Sequence, residues 1–210
     1  MKPKKGQMMA LSTILMLAIV IVLVVAAYFW GSSLLQTQED TATSSYVRGK
    51  MLEIKRNVIE VTHEGINSTR TVQVDLSRGE LSVLGGAYCP GSAIGKNGLV
   101  YNITTSTKLI QATNESWVLI DPRENSTKCD ESYEENGPGV LLGRSRPHGS
   151  GSYSNEYFLW FRKLTDDDSN EFLISILPGQ SSAASGGTGT VVLRNTGVSG
   201  TTTNVTVTVI

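Results

Sequence analysis

From Gly6 to Gln38 the chain carries no charged side chain, and within that stretch Met8 to Trp30 supplies 21 apolar residues out of 23, interrupted only by Ser12 and Thr13. As a helix rising roughly 1.5 Å per residue, the run reaches about 35 Å, slightly more than the hydrocarbon thickness of a bilayer. Tyr28 and Trp30 close it, where amphipathic rings favour a membrane–water interface. Lys2, Lys4 and Lys5 precede it and hold the short N-terminal end on the cytoplasmic side by the positive-inside rule. The chain beyond Trp30 is therefore expected outside the cell.

Whole-chain averages hide this division. The 210 residues are 40% hydrophobic with a net charge of −1, figures of an ordinary soluble domain. Beyond Trp30, however, 61 of 180 residues are apolar and 62 are Gly, Ser or Thr. That is enough apolar material for one core. A purely cytosolic globular enzyme, a multi-span membrane protein and a fully disordered chain are excluded. Once the three N-terminal lysines are set aside, 15 basic residues face 19 acidic ones with no basic stripe, so no nucleic-acid partner is expected.

A secretory signal peptide has an apolar core of about 7 to 15 residues followed by a small-x-small cleavage site. This run is longer and ends in Tyr28-Phe29-Trp30. A plain signal anchor fits the length but leaves Lys4-Lys5-Gly6-Gln7, directly ahead of the apolar stretch, without a role.

That arrangement resembles the class III signal peptide of archaeal type IV pilin-like proteins. The resemblance implies that a prepilin peptidase cuts between Gly6 and Gln7 on the cytoplasmic face, leaving the hydrophobic segment as the mature N-terminus. Cutting there frees a membrane-embedded helix for extraction into a filament core, where neighbouring helices replace lipid. The mature start would read Gln7, Met8, Met9, Ala10, Leu11. Bacterial pilins commonly carry Glu at the fifth mature position and many archaeal ones begin Gln-x-Ser-x-Glu, so Leu11 departs from both. The likeness covers roughly residues 1–30.

Further on, Val47, Met51, Ile54, Val58 and Val61 recur at helical spacing, with Arg48, Lys50, Glu53, Lys55, Arg56 and Glu60 on the other faces. The stripe predicts an amphipathic helix over 46–62 ending before Gly65. Gly31-Ser32-Ser33 permits a kink, and Thr41 to Ser45 permits a flexible link between two helices.

From Arg70 the period becomes two. Val72, Val74 and Leu76 alternate with polar residues, Ser77-Arg78-Gly79 marks a turn, and Leu81 and Val83 follow. Similar runs occur at 99–105, 108–111, 117–121, 156–164, 172–177, 190–194 and 204–210. Asn195-Thr196-Gly197 separates the last two as a turn, and 179–189, rich in Gly, Ser and Ala, reads as a flexible loop. The expected fold class is α+β: a leader at 1–6, an N-terminal helix at 7–62 (hydrophobic over 7–30), and an extracellular antiparallel β-sandwich, Ig-like by fold analogy, at 63–210.

Five Asn-x-Ser/Thr sequons mark candidate N-glycosylation sites at Asn67, Asn102, Asn114, Asn125 and Asn204. Cys89 and Cys129 are the only cysteines, and outside the cell such a pair is expected to form a disulfide stabilising by roughly 3–4 kcal/mol. With His63 and His148 far from them in sequence there is no metal-ligand spacing, so no metal site is expected. Carboxylates gather at Asp121 to Glu135 and at Asp166 to Glu171, without the spacing or Gly of an EF-hand loop. The second group reads as a solvated hairpin turn. Arg144-Ser145-Arg146-Pro147-His148 is a candidate for meeting acidic surface on a neighbouring subunit.

No nucleophile motif, phosphate loop or paired catalytic acid is present, so neither enzyme activity nor a cofactor is expected. The expectation is a structural filament subunit at the cell surface, made as a single-pass precursor with a cytoplasmic N-terminus. Its partners would be identical or related pilin subunits, the prepilin peptidase, the assembly machinery and, before assembly, the membrane. The alternatives are a minor archaellum, pilus or stator-like component, a signal-anchored binding domain that never polymerises, and an enzyme displayed on the same anchor.

Overall fold

The computed structural model describes residues 5–87, 95–121, 124, 128, 130–132, 137–149, 151–166 and 169–210; for 5–11, 113 and 130–132 only the backbone is described. The chain divides into two units, one up to Ala42 and one from Thr43 to Ile210.

A single α-helix, α1, covers Lys5–Glu64. The backbone at 31–33 and at 41–45 is assigned to this helix. Hydroxyls that compete with helix elsewhere are here turned back onto it. Ser32 Oγ donates to the Phe29 carbonyl at 3.0 Å, Thr37 Oγ1 to that of Ser33 at 3.1 Å, and Thr41 Oγ1 to that of Thr37 at 2.8 Å. The helix stops at Gly65, whose φ of +96° suits glycine. Beyond it the Ser68 hydroxyl, with one proton to donate, lies 2.8 Å from the carbonyls of both Val61 and Gly65, within reach of acceptors a helix end leaves open.

In the second unit the predicted stripe is the buried face: Val47, Met51, Ile54, Val58 and Val61 are completely withdrawn from solvent. Because the unit begins at Thr43, the amphipathic half of α1 belongs with the β-rich part and not outside it.

Among the described residues twelve strands follow: β1 (Thr69–Asp75), β2 (Gly79–Leu84), β3 (Gly98–Thr105), β4 (Val118–Leu119), β5 (Asp130–Ser132), β6 (Gly139–Pro147), β7 (Tyr153–Phe161), β8 (Lys163–Thr165), β9 (Glu171–Pro178), β10 (Ala183–Ser185), β11 (Thr188–Ser199) and β12 (Thr202–Val209). They form two six-stranded sheets, in the orders β1-β11-β12-β9-β8-β5 and β10-β2-β3-β7-β6-β4. Pairing is mostly antiparallel, with β12–β9 and β5–β8 parallel. One apolar cluster takes side chains from both sheets and from the α1 stripe, among them Val72, Leu81, Tyr101, Leu159, Leu193 and Val207. The chain is thus a long, N-terminally apolar helix followed by a mostly antiparallel, sheet-rich domain.

Several local expectations shift. The turn at Ser77 to Gly79 exists, held by the Ser77 N–H on Asp75 Oδ1 at 2.9 Å, but it carries the chain from one sheet to the other, since β1 pairs with β11 and β2 with β3. Asn195-Thr196-Gly197 is a bulge inside β11, not the hairpin turn. Asn195 Oδ1 accepts the Gly197 N–H at 3.0 Å while its Nδ2 donates to the Val61 carbonyl at 3.3 Å, and Gly197 adopts a φ of +136°. The reversal comes instead at Gly200, φ +62°.

Residues 108–111 are not a strand. Their amides go to side chains, Leu109 N–H to Asn155 Oδ1 at 3.1 Å and Ile110 N–H to Ser145 Oγ at 2.9 Å. The run 156–164 is interrupted at Arg162, whose amide bonds the Pro138 carbonyl at 2.9 Å before the chain enters the other sheet as β8. The small-residue segment 179–189 contains β10 and the start of β11, turned at Gly186 and Gly187 with φ of +78° and +71°.

Strand β6 escapes a period-two reading because residues 139–143 are all buried, and so are residues 154–161 of β7 beside it. A second apolar cluster, Val140, Leu142, Phe158 and Trp160, covers one face of this pair. Strands buried on both faces lose the alternation.

Candidate functional site

The feature with no structural occupant is the first half of α1. Every residue from 12 to 30 is exposed, including Ile14 at 67%, Val22 at 66% and Trp30 at 74%. An 18-residue window has mean hydropathy 2.7 with none of it buried, which is long and apolar enough to cross a membrane. Tyr28 and Phe29 meet edge to face with ring centroids 6.1 Å apart. Beyond Trp30 the hydroxyls of Ser32, Thr37 and Thr41 are each bonded to a carbonyl of the same helix. An exposed apolar surface of this size marks a membrane or protein interaction site. Gly6 and Gln7 have helical backbone; their side chains lie outside the described residues.

Four of the five sequons are described. Asn67 follows the end of α1 with a φ of +69°, and its Oδ1 accepts from Arg194 Nη2 at 2.9 Å. Asn114 lies on an exposed short 3-10 turn with a φ of +54°. Asn102 on β3 and Asn204 on β12 are half-buried, and Ser154 Oγ donates to Asn102 Oδ1 at 2.8 Å. Asn125, Cys89 and Cys129 lie outside the described residues.

Around Asn102 the sheet carries a shallow groove of about 350 Å³, whose lining includes Glu80, Trp117, Arg144, Arg146 and Glu156. The guanidinium of Arg144 stacks over Trp117 at 4.1 Å from the ring centroid. Both Arg144 and Arg146 bond Glu156, Arg144 Nε at 2.7 Å from Oε2. The basic stretch expected to meet a neighbour's acidic surface therefore spends both arginines on a carboxylate of its own chain. At the β8–β9 turn Asp166 and Asn170 bond one another, Asn170 N–H to Asp166 Oδ1 at 2.7 Å.

The first carboxylate group contains a feature that the sequence pattern does not disclose. Asp121 and Glu124 are not solvated. Lys55 Nζ, from α1, lies 3.1 Å from Asp121 Oδ2 and 2.7 Å from Glu124 Oε1. Arg162 Nη2 reaches Glu124 Oε2 at 2.9 Å, and the Gly137 N–H donates to the same oxygen at 3.3 Å. The signal was present in two places: Lys55 borders the apolar stripe four residues after Met51, and Arg162 follows the apolar run Leu159-Trp160-Phe161. A charge at such a position is buried only with partners.

Titration is shifted at the helix–sheet junction. Burial pushes the Tyr101 hydroxyl up to about 12, and it donates to the Asp75 carbonyl at 2.6 Å. The Tyr157 hydroxyl is also raised by burial, opposed by its bond with Ser44 and by Arg48. The Arg70 guanidinium bonded to Glu64 holds that carboxyl below its ordinary value, and Ser77 does the same for Asp75. Among the described residues no group of three or more His, Cys, Asp or Glu converges as metal ligands would. The chain matches no protein-family profile, no curated protein and no solved structure.

Proposed function

We propose that this chain is a structural subunit of an archaeal type IV pilus-like filament on the cell surface. The observation that carries the reading is the exposed, uncharged half of α1 directly behind Lys4-Lys5-Gly6-Gln7. Before assembly the segment spans the membrane with the N-terminus cytoplasmic, and cleavage after Gly6 releases it. In the filament, helices of neighbouring subunits replace lipid, and van der Waals packing supplies the association energy. Two sheets sharing one apolar cluster support reading the outer part as a β-sandwich of Ig-like character. Glycans at the sequons and a Cys89–Cys129 disulfide fit that exposed location, and the subunit needs no catalysis.

N-terminal mass spectrometry on the protein from its native host tests the proposal. A mature chain beginning at Gln7 is expected, and an intact 1–6 leader overturns it. A minor pilus, archaellum or stator-like role is separated by abundance in purified filaments. The groove with Arg144 stacked on Trp117 favours a second reading, a signal-anchored binding domain that stays a monomer. Under that reading Gly6→Val leaves localisation and function untouched, whereas a filament subunit is left unprocessed and unassembled.

A further inference from the structure

We propose that Lys55 and Asp121 become joined by a side-chain amide bond, with Glu124 relaying the proton, so that the chain straps its own helix covalently to the β-rich unit. The inference goes beyond the filament reading and does not depend on it.

The geometry is that of an amine held between an electrophile and a base. Lys55 Nζ is 2.7 Å from Glu124 Oε1 and 3.1 Å from Asp121 Oδ2. The side chains of Lys55, Asp121, Glu124 and Arg162 are 10%, 0%, 4% and 0% exposed, so water is nearly excluded. Arg162 Nη2 and the Gly137 N–H occupy Glu124 Oε2 and thereby aim Oε1 at the amine. Two glycines make the approach possible. A Cβ at Gly139 would lie 3.2 Å from Lys55 Cγ and 3.1 Å from Phe161 Cε1, and one at Gly137 would lie 2.9 Å from Glu124 Oε1. The amine stem therefore runs in a narrow slot beside an aromatic ring.

The step balances within the chain. Glu124 takes a proton from the Lys55 ammonium, and the freed lone pair attacks Asp121 Cγ. The C–N bond forms and a Cγ–O bond breaks. The departing oxygen leaves as water, carrying two hydrogens that began on Nζ, one of them relayed through Glu124. Ammonium and carboxylate become amide and water, with no oxidant, reductant or co-reactant. In bulk water the solvated ions are favoured over the amide. In a site that withholds solvent the ion pair loses that advantage, and fixed proximity replaces a bimolecular encounter worth effective molarities on the order of 10⁵–10⁸ M. The bond would make load applied to α1 cross at Lys55 as well as along the main chain.

Mass spectrometry of the denatured full-length chain tests this. The expected result is a deficit of one water, about 18 Da, with the peptides carrying Lys55 and Asp121 recovered as one linked species. In Asp121→Asn the deficit becomes one ammonia, about 17 Da, because the leaving group changes. In Glu124→Gln the linked peptide disappears while the folded chain remains, and a linked Glu124→Gln chain overturns the relay. Folded wild-type chain of full mass, with both peptides recovered separately, overturns the bond itself. That outcome requires no variant to fold, and it is read independently of whether the leader at 1–6 is removed.

Discussion

Tyr157 Oη and Ser44 Oγ lie 2.5 Å apart, a hydrogen bond that ties β7 to α1 across 113 positions of sequence. A few residues away Tyr101 Oη reaches the Asp75 carbonyl at 2.6 Å. Both phenols are held neutral beyond their ordinary range by burial, Tyr101 up to about 12. A group whose folded pKa is raised keeps its proton longer folded than unfolded, so its contribution is complete below pH 10 and is lost as pH climbs toward 12. Denaturant midpoints measured from pH 8 to 12 should fall above pH 10, and Tyr101→Phe should flatten that fall. An unchanged alkaline slope in the Tyr101→Phe, Tyr157→Phe double variant would count against both phenols. On the acid side Glu64 and Asp75, each lowered, act in the opposite sense, and their contributions fade as pH drops through the carboxylate range.

Arg162 makes the sharpest stability prediction. Its guanidinium is fully buried against Glu124 Oε2, and Arg162→Ala removes that cation from a buried carboxylate. Breaking a buried pair from one side costs about 3–5 kcal/mol, well above the 0–1 kcal/mol of an exposed pair. Lys50→Ala, which removes the partly exposed Lys50–Glu53 pair, should therefore change the unfolding midpoint far less. Equal shifts for the two variants would contradict the buried network.

The two halves of α1 should respond oppositely to the same kind of change. Met51 is completely buried, and Met51→Ala should cost about 2–5 kcal/mol in unfolding of the β-rich unit. Leu17 is 62% exposed, and Leu17→Ala should leave that unfolding unchanged. If the first half packs in a filament or a membrane, Leu17→Ala instead weakens assembly or membrane retention, read by the share of protein in sheared filaments or in the membrane fraction.

What the sequence made legible follows from how far each signal reaches. The stripe from Val47 to Val61 was readable because burial on one helix face leaves a local 3.6-residue period, and β12 because its valines alternate with threonines. Strand β6 was not, because burial on both faces erases the alternation. Asn195-Thr196-Gly197 has turn composition, yet Asn195 uses its amide on Val61, 134 residues away, and the strand continues. The same limit hid the buried charges. Asp121 and Glu124 look like solvated loop residues until Lys55 and Arg162 arrive from 66 and 38 positions away. The apolar segment behind Gly6 was the easiest feature to read, since charge and length alone define it.

Two glycines separate backbone need from mere occurrence. Gly98 starts β3, and a Cβ there would fall 2.0 Å from the Leu159 carbonyl oxygen and 2.9 Å from Phe158 Cε2. The first of these is strand backbone, which cannot rotate away, so the β3–β7 register pairing Gly98 with Trp160 must shift. Gly98→Ala should cost at least the roughly 1–3 kcal/mol of an overpacked core and lower expression of folded chain. Gly31 lies in α1 with nothing within 4 Å of its would-be Cβ, and no positive φ. Gly31→Ala should therefore stiffen the helix by about 0.5–1 kcal/mol without harming the fold. Circular dichroism and thermal melts of the two variants decide the matter, and a Gly98→Ala chain as stable as the parent would show that β3 does not sit this close to β7.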